Sequence, residues 1–239
     1  MYFSAGAYWD VGTRNINEDS VLLQIVDLKR KSLAIAAVAD GIGGLGEGHV
    51  ASGYLLERLN EAFYSDIIPL AERNKGPVYL KRSMLRTFYL ITDSLRRYGD
   101  SKDIKLGTTL TCMLFYGNRY LLFHIGDSRA YRIRNGNFFS LSTDHIKEKG
   151  ELSRCLGSFP YMEMEYVSGK IRNNMGFLIC SDGFYSLMDK GSYLLDPTYM
   201  QSDQEIERNL MKMGKIIRNR GQKDNASAVY ITIQKKRKE

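Results

Sequence analysis

The chain has 239 residues, of which 44% are apolar and 26% charged, with four prolines and 22 glycines. That apolar share is enough to offset chain entropy, which excludes a disordered polypeptide, and the length suits one large domain without linkers. The net charge of +7 sits in short clusters (Lys29-Arg30-Lys31, Arg96-Arg97, Lys235-Lys236-Arg237-Lys238) and never forms a stripe interleaved with aromatics, so no nucleic-acid partner is expected.

Strand-length runs rich in β-branched and aromatic residues open the chain: Met1 to Trp9, Ser20 to Asp27 and Leu33 to Ala39. A helical period follows over His49 to Ile67, with Ala51, Leu55, Leu59, Ala62 and Phe63 on one side. A second covers Tyr79 to Tyr98, with Met84, Leu85, Phe88, Ile91 and Leu95 inward. Strands then recur at Thr108 to Tyr116, Tyr120 to Ile125, Tyr161 to Ser168 and Met175 to Cys180. Alternation is plainest where Met162, Met164 and Tyr166 oppose Glu163 and Glu165. A last helix spans Asp203 to Arg220, opened by a Ser202–Glu205 capping box and stopped by Gly221, before a final strand at Ala226 to Ile233. Strands mostly follow strands, which disfavours a βαβ plan and favours antiparallel sheets covered by helices. The domain is expected over 1–234, with 235–239 a basic tail.

The longest apolar run, Leu33 to Ala39, falls far short of the roughly 20 residues of a membrane span. No basic-then-apolar leader opens the chain, and a cytoplasmic location is expected. Cys112, Cys155 and Cys180 are odd in number and widely spaced, which argues against disulfides or a zinc site. His49, His124 and His145 show no ligand or triad spacing and read as structural, and Trp9 reads as a core or rim aromatic.

Aspartates stand where apolar strands end. Asp40 opens Asp40-Gly41-Ile42-Gly43-Gly44, Asp127 follows the strand ending at Ile125, Asp182 follows Cys180-Ser181, and Asp224 precedes the last strand. Glu18 and Asp19 come just before the Ser20 strand. Each alone reads as a turn, because Asp bonds its own backbone and Gly accepts positive φ. Together they read as carboxylates converging at strand ends, an arrangement that needs cations to neutralise it. All-oxygen donors select hard ions such as Mg²⁺, Mn²⁺ or Ca²⁺, and a basic side chain nearby would complete a two-metal hydrolytic centre.

These blocks resemble the metal-dependent serine/threonine protein phosphatases of type 2C, particularly compact bacterial catalytic domains. The resemblance runs from Gly12-Thr13-Arg14-Asn15-Ile16-Asn17-Glu18-Asp19-Ser20 through the Asp40 block and Gly107-Thr108-Thr109. It continues in Gly126-Asp127-Ser128-Arg129, Ser142-Thr143-Asp144-His145, Cys180-Ser181-Asp182-Gly183 and Asp224-Asn225-Ala226-Ser227. It implies an α+β fold, a four-layer αββα sandwich of two antiparallel sheets flanked by helices. It further implies that Asp40 bridges two Mn²⁺ or Mg²⁺ ions, Asp182 and Asp224 hold one, and the Gly41 carbonyl holds the other. Glu18 and Asp19 reach that second ion directly or through water, and Asp127 joins Asp182 at a third ion in some relatives. Arg14 corresponds to the phosphate-binding arginine, with a planar fork suited to two phosphate oxygens. The implied reaction is hydrolysis of phosphoserine or phosphothreonine esters by a metal-bridged water, with Arg14, Asp40 and Asp182 catalytic and no covalent intermediate. The implied partner is a phosphoprotein made by an opposing serine/threonine kinase.

Two departures stand out. Ile42 occupies the position of a histidine proposed as the leaving-group acid in animal relatives. The flap that normally follows the Asp-His block is cut to Ile146–Leu152, ahead of Ser153-Arg154-Cys155-Leu156-Gly157. So short a segment leaves few contacts to residues flanking a phosphosite, unless the loop around Asp189 to Gln201 covers the cleft instead. Selectivity would then come from docking an acidic partner elsewhere. A pseudophosphatase that binds phosphoproteins without turnover, and a phosphatase of small phosphometabolites, are the other readings open at this point.

Overall fold

The computed structural model describes residues 2–29, 31–42, 47–148, 151–159 and 161–234. Gly43 and Gly44 of the Asp40 block, and the tail at 235–239, lie outside the described residues. In chain order come β1 (Tyr2–Asp10), β2 (Asp19–Asp27), β3 (Ser32–Asp40), α1 (Gly48–Ala62), α2 (Ile68–Glu72) and α3 (Pro77–Lys102). Then follow β4 (Gly107–Thr108), β5 (Leu110–Tyr116), β6 (Arg119–Ile125), β7 (Arg129–Arg134), β8 (Asn137–Ser140) and β9 (Leu156–Gly157). The chain closes with β10 (Glu165–Lys170), β11 (Gly176–Cys180), α4 (Asp182–Tyr185), α5 (Asp203–Asn219) and β12 (Ala226–Gln234).

Two five-stranded antiparallel sheets form, ordered β1-β12-β11-β7-β8 and β10-β6-β5-β3-β2. β3 shows why its sequence lacks alternation. Leu33, Ile35, Ala37 and Ala39 pack under α1 and α3 beside Leu55, Leu59, Phe88 and Ile91. Ala34, Ala36 and Val38 face the other sheet, against Phe177, Ile179, Val229 and Ile231. Both faces are covered, so every position is apolar. On the outer face of the β1-β12-β11-β7-β8 sheet, Leu178, Cys180, Ala228 and Tyr230 meet Ile206, Leu210, Met213 and Ile217 of α5. The layers are therefore helix, sheet, sheet, helix, as expected.

Local differences have local causes. The helix expected over His49 to Ile67 ends at Ala62 and continues as a π-helical turn, Phe63–Ile67, in which the Ile68 N–H reaches back to the Phe63 carbonyl. Pro69 has no N–H to offer the Ser65 carbonyl, so a regular α ladder fails there. The strand expected from Tyr161 starts only at Glu165, where pairing with His124 of β6 begins. The β7–β8 hairpin was not anticipated. Its turn at Asn135-Gly136 has positive φ at both residues, the I′-type signal that Asn-Gly supplies.

Candidate active site

Antiparallel pairing brings the aspartate-bearing strand ends together. Asp19 at the start of β2 lies opposite Asp40 at the end of β3. Across the other sheet, Cys180 at the end of β11 pairs with Ala228 of β12 and with Arg129 of β7. Asp182, Asp224 and Asp127 are thereby delivered to the same end. A cavity of about 310 Å³ is lined by Glu18, Asp40, Gly41, Asp127, Asp182 and Asp224, with Arg14, Ile42, Leu152 and Asn225 completing it. All the sequence-designated residues but Asp19 line this cavity, and Asp19 lies opposite Asp40 in the β2–β3 pair.

Close backbone approach builds the wall. Gly41 donates its N–H to the Glu18 carbonyl at 3.0 Å, and a Cβ there would lie 2.3 Å from the Gly48 backbone at the start of α1. Only glycine fits where strand meets helix so tightly. Thr109 clamps the end of β3: its N–H donates to the Asp40 carbonyl at 2.8 Å, and its Oγ1 accepts the Asp40 N–H at 3.0 Å. Gly126 has φ of +115°, and a Cβ on it would meet the Thr109 Cβ at 2.5 Å.

Burial and mutual repulsion set the electrostatics. Burial, then the charges of Asp19, Asp182, Asp127 and Asp224, hold the Asp40 carboxyl well above the usual carboxylate range. Asp19 is pushed up to about 6 by burial, and the charges of Asp182 and Asp224 add to that. Burial and the charge of Asp182 push Asp127 to about 6 as well, and burial with Asp224 raises Asp182. Asp19 Oδ2 accepts from the Ser181 hydroxyl at 2.8 Å, while its buried Oδ1 has no hydrogen-bond partner. Buried oxygens that lack both donors and countercharge fit divalent cations, and the donor set is all oxygen.

Arg14 is the cavity's cation. Its Nη2 lies 2.9 Å from Asp224 Oδ2, with most of the side chain exposed. The partner is Asp224, not the Glu18 that shares its loop.

Of the supporting residues, Asn225, Arg129 and Asp144 stand inside the motif blocks without a role read from them, and Arg218, Asp10 and Tyr185 carried no distinct signal in the sequence. Asn225 accepts the Glu18 N–H and donates to the Val11 and Ile16 carbonyls, tying the Gly12 to Ser20 loop to β12. Arg218 of α5 pairs with Asp10 at 3.1 Å and donates to the Asp224 carbonyl. Arg129 clamps Asp144 and stacks on Tyr185, whose hydroxyl donates to the Asp127 carbonyl.

In the segment that replaces the flap, Ile146 is bridged to Leu152 and the Lys147 N–H donates to the Glu151 carbonyl. Among its described residues, Leu152 alone lines the cavity. The 189–201 region does not cover the cleft, since Leu195 and Met200 pack in the α5 core. His124, His145 and Glu165 bring potential ligand atoms within 4.8 Å of one another. Both His124 nitrogens are engaged, by Thr111 and the Thr143 carbonyl, and His145 Nδ1 accepts the Gly126 N–H. These bonds occupy three of the four ring nitrogens, and spacing along the chain carried no sign that His124 and His145 would meet. Trp9 is a rim residue, 57% exposed, with its indole N–H on the Asp19 carbonyl.

Comparison with known proteins places this arrangement in a family. The family model for protein phosphatase 2C matches residues 12–215. The chain is 34% identical over 240 residues to the serine/threonine protein phosphatase PstP of Mycobacterium tuberculosis, an alignment covering 91% of this chain and 42% of PstP. It is 24% identical over 263 residues to the probable protein phosphatase 2C 71 of Arabidopsis thaliana, covering 96% of this chain and 55% of that protein. The chain thus spans about half the length of these curated relatives. The solved catalytic domain of PstP, in complex with two manganese ions, superposes with a TM-score of 0.76 at 24% identity, covering 98% of this chain and 99% of that one. The chain belongs to the protein phosphatase 2C family.

Proposed function

We propose that this domain hydrolyses phosphoserine and phosphothreonine esters on proteins with two divalent cations, Mn²⁺ or Mg²⁺, held at the acidic cavity. The observation that carries this reading is the convergence of Asp40, Asp127, Asp182, Asp224 and Glu18 with Arg14 on one cavity. Asp40, Asp182 and Asp224 would hold the ions with the Gly41 carbonyl, Glu18 and Asp19 supporting, and Asp127 joining Asp182 at a third. Bound there, such ions supply Lewis-acid charge stabilisation and lower the pKa of water.

The chain's own groups do the rest. Arg14 is exposed enough to swing its fork from Asp224 onto a phosphate dianion, giving a two-point contact that fixes the ester's orientation. Neither residue ahead of Asp182 competes as nucleophile: burial pushes the Cys180 thiol far up, and the Ser181 hydroxyl donates to Asp19. Ile42 lines the cavity and carries no proton to give, so that position does not protonate the leaving oxygen. The substrate would be a phosphoprotein made by a serine/threonine kinase.

The test is hydrolysis of a chromogenic aryl phosphate and a phosphothreonine peptide with Mn²⁺, then with excess chelator. Chelator is expected to abolish turnover and added metal to restore it. Chelator-resistant activity would overturn the reading, and metal binding without turnover of any phosphoester would favour a phosphoprotein-binding module.

A further inference from the structure

A groove of about 530 Å³ runs between α3 and the segment made of the π-helical turn and α2. Leu70 and Arg73 line one side, and Tyr79, Arg82, Arg86 and Leu90 line the other. The last four recur at i, i+3, i+7 and i+11, one stripe of α3. Tyr79 and Leu90 are 52% and 50% exposed, so apolar surface faces water at both ends of the stripe, with the Lys75 ammonium over the Tyr79 ring.

Its arginines differ from those elsewhere on the same helices. On α3, Arg96 and Arg97 pair with Asp93, and on α1 Arg58 pairs with Glu61. Among the described residues, Arg73, Arg82 and Arg86 have no carboxylate within 4.0 Å. Asp66, at one end, is the acidic residue of the lining, which holds no lysine or glutamate. Arginine and tyrosine are enriched, and lysine and glutamate depleted, at interface centres, although the serines and Asp66 of this lining are not of that kind.

We infer that this groove docks an acidic amphipathic segment of a partner protein, with apolar side chains against Leu70, Tyr79 and Leu90 and carboxylates on Arg73, Arg82 and Arg86. Charge complementarity selects the occupant: unpaired arginines flanking an apolar floor match carboxylates flanking an apolar ridge. The groove lies beyond the C-terminal end of α1, roughly 20 Å from Gly48 at the cavity wall, given 1.5 Å per residue. A tethered partner would leave the acidic cavity free and raise the local concentration of any phosphosite it carries. The inference concerns binding and does not depend on turnover.

The test uses the full chain and a fluorescent 16-residue helical peptide of glutamates with leucines at i, i+3 and i+7, read by anisotropy. Saturable binding that weakens as salt rises is expected, with Arg82→Glu plus Arg86→Glu weakening it at least tenfold. The same variant should keep its circular dichroism and its aryl phosphate turnover. A matched peptide with lysine for glutamate should not bind, and amide exchange should slow over 65–90 when the acidic peptide is bound. Equal affinity of parent and variant, or no saturable binding below about 1 mM, would overturn the proposal. So would arginine-dependent capture by phosphatidylserine vesicles without peptide binding.

Discussion

Arg14 and Asp224 form an ion pair at 2.9 Å across a mostly exposed surface, and such pairs contribute little to stability. Their worth is functional. Arg14→Ala should raise KM and weaken inhibition by inorganic phosphate while leaving the melting temperature unchanged, and lysine should rescue only partly because it lacks the two-point fork. Steady-state kinetics with a phosphate titration checks this, and an unchanged inhibition constant would count against a phosphate role. Asp182 differs, because it is half-buried and its carboxyl is already raised by burial and by Asp224. Asp182→Asn removes a charge that repels its neighbours, so the metal-free protein should not be destabilised. It should nonetheless bind Mn²⁺ more weakly, seen by calorimetry, and lose about a hundredfold or more in kcat, equivalent to about 3 kcal/mol.

Among the elements, α5 is the one whose ends were fully written in local sequence. Ser202 accepts the Glu205 N–H at 3.3 Å and Glu205 returns the bond to the Ser202 N–H at 3.1 Å. Ser202→Ala should cost about 1 kcal/mol, lowering the melting temperature by about 2–4 °C in a chain of this size. Calorimetry would show it, and aryl phosphate turnover should not change, since the bond from α5 to Asp224 is made by Arg218 at its opposite end. The α1 region behaves otherwise. Its apolar period continues past Ala62, yet the backbone changes to a π turn because Pro69 interrupts the ladder downstream. Side-chain periodicity reports which face is buried, and it does not report which carbonyl each N–H finds.

At the scale of the whole molecule, the layers impose a pH dependence through His124. Burial, reinforced by His145, pushes its pKa down to about 4. The unfolded chain therefore binds a proton near pH 6.5 that the folded chain refuses until near pH 4. Stability from this group is complete above about pH 6.5 and is lost as pH falls toward 4, by at most about 3 kcal/mol. Denaturant melts across that window should show the slope, and His124→Gln should flatten it. The carboxylates of the cavity act with the opposite sign. Asp19 and Asp127, raised to about 6, bind protons more readily when folded, so their contribution falls as pH rises from about 4 to 6. Mn²⁺ should therefore raise the melting temperature more at pH 7 than at pH 5.

The sequence by itself determined the layer plan, because alternation, run length and capping are local signals. The unbroken apolar run of Leu33 to Ala39 belongs to a strand covered on both faces, and the Ser202 box starts α5 where expected. It also located the acidic blocks, since strand ends are visible as the point where an apolar run meets Asp-Gly. Only the tertiary structure decided what those blocks face. Asp19 opposes Asp40 through strand register, and Arg14 meets Asp224 across 210 residues of chain. Asn225 stitches the Gly12 to Ser20 loop to β12 through backbone groups that leave no mark on residue type. The unpaired arginines of the α2–α3 groove are likewise invisible in a charge count, which records how many cations a chain has and not which of them found an acid.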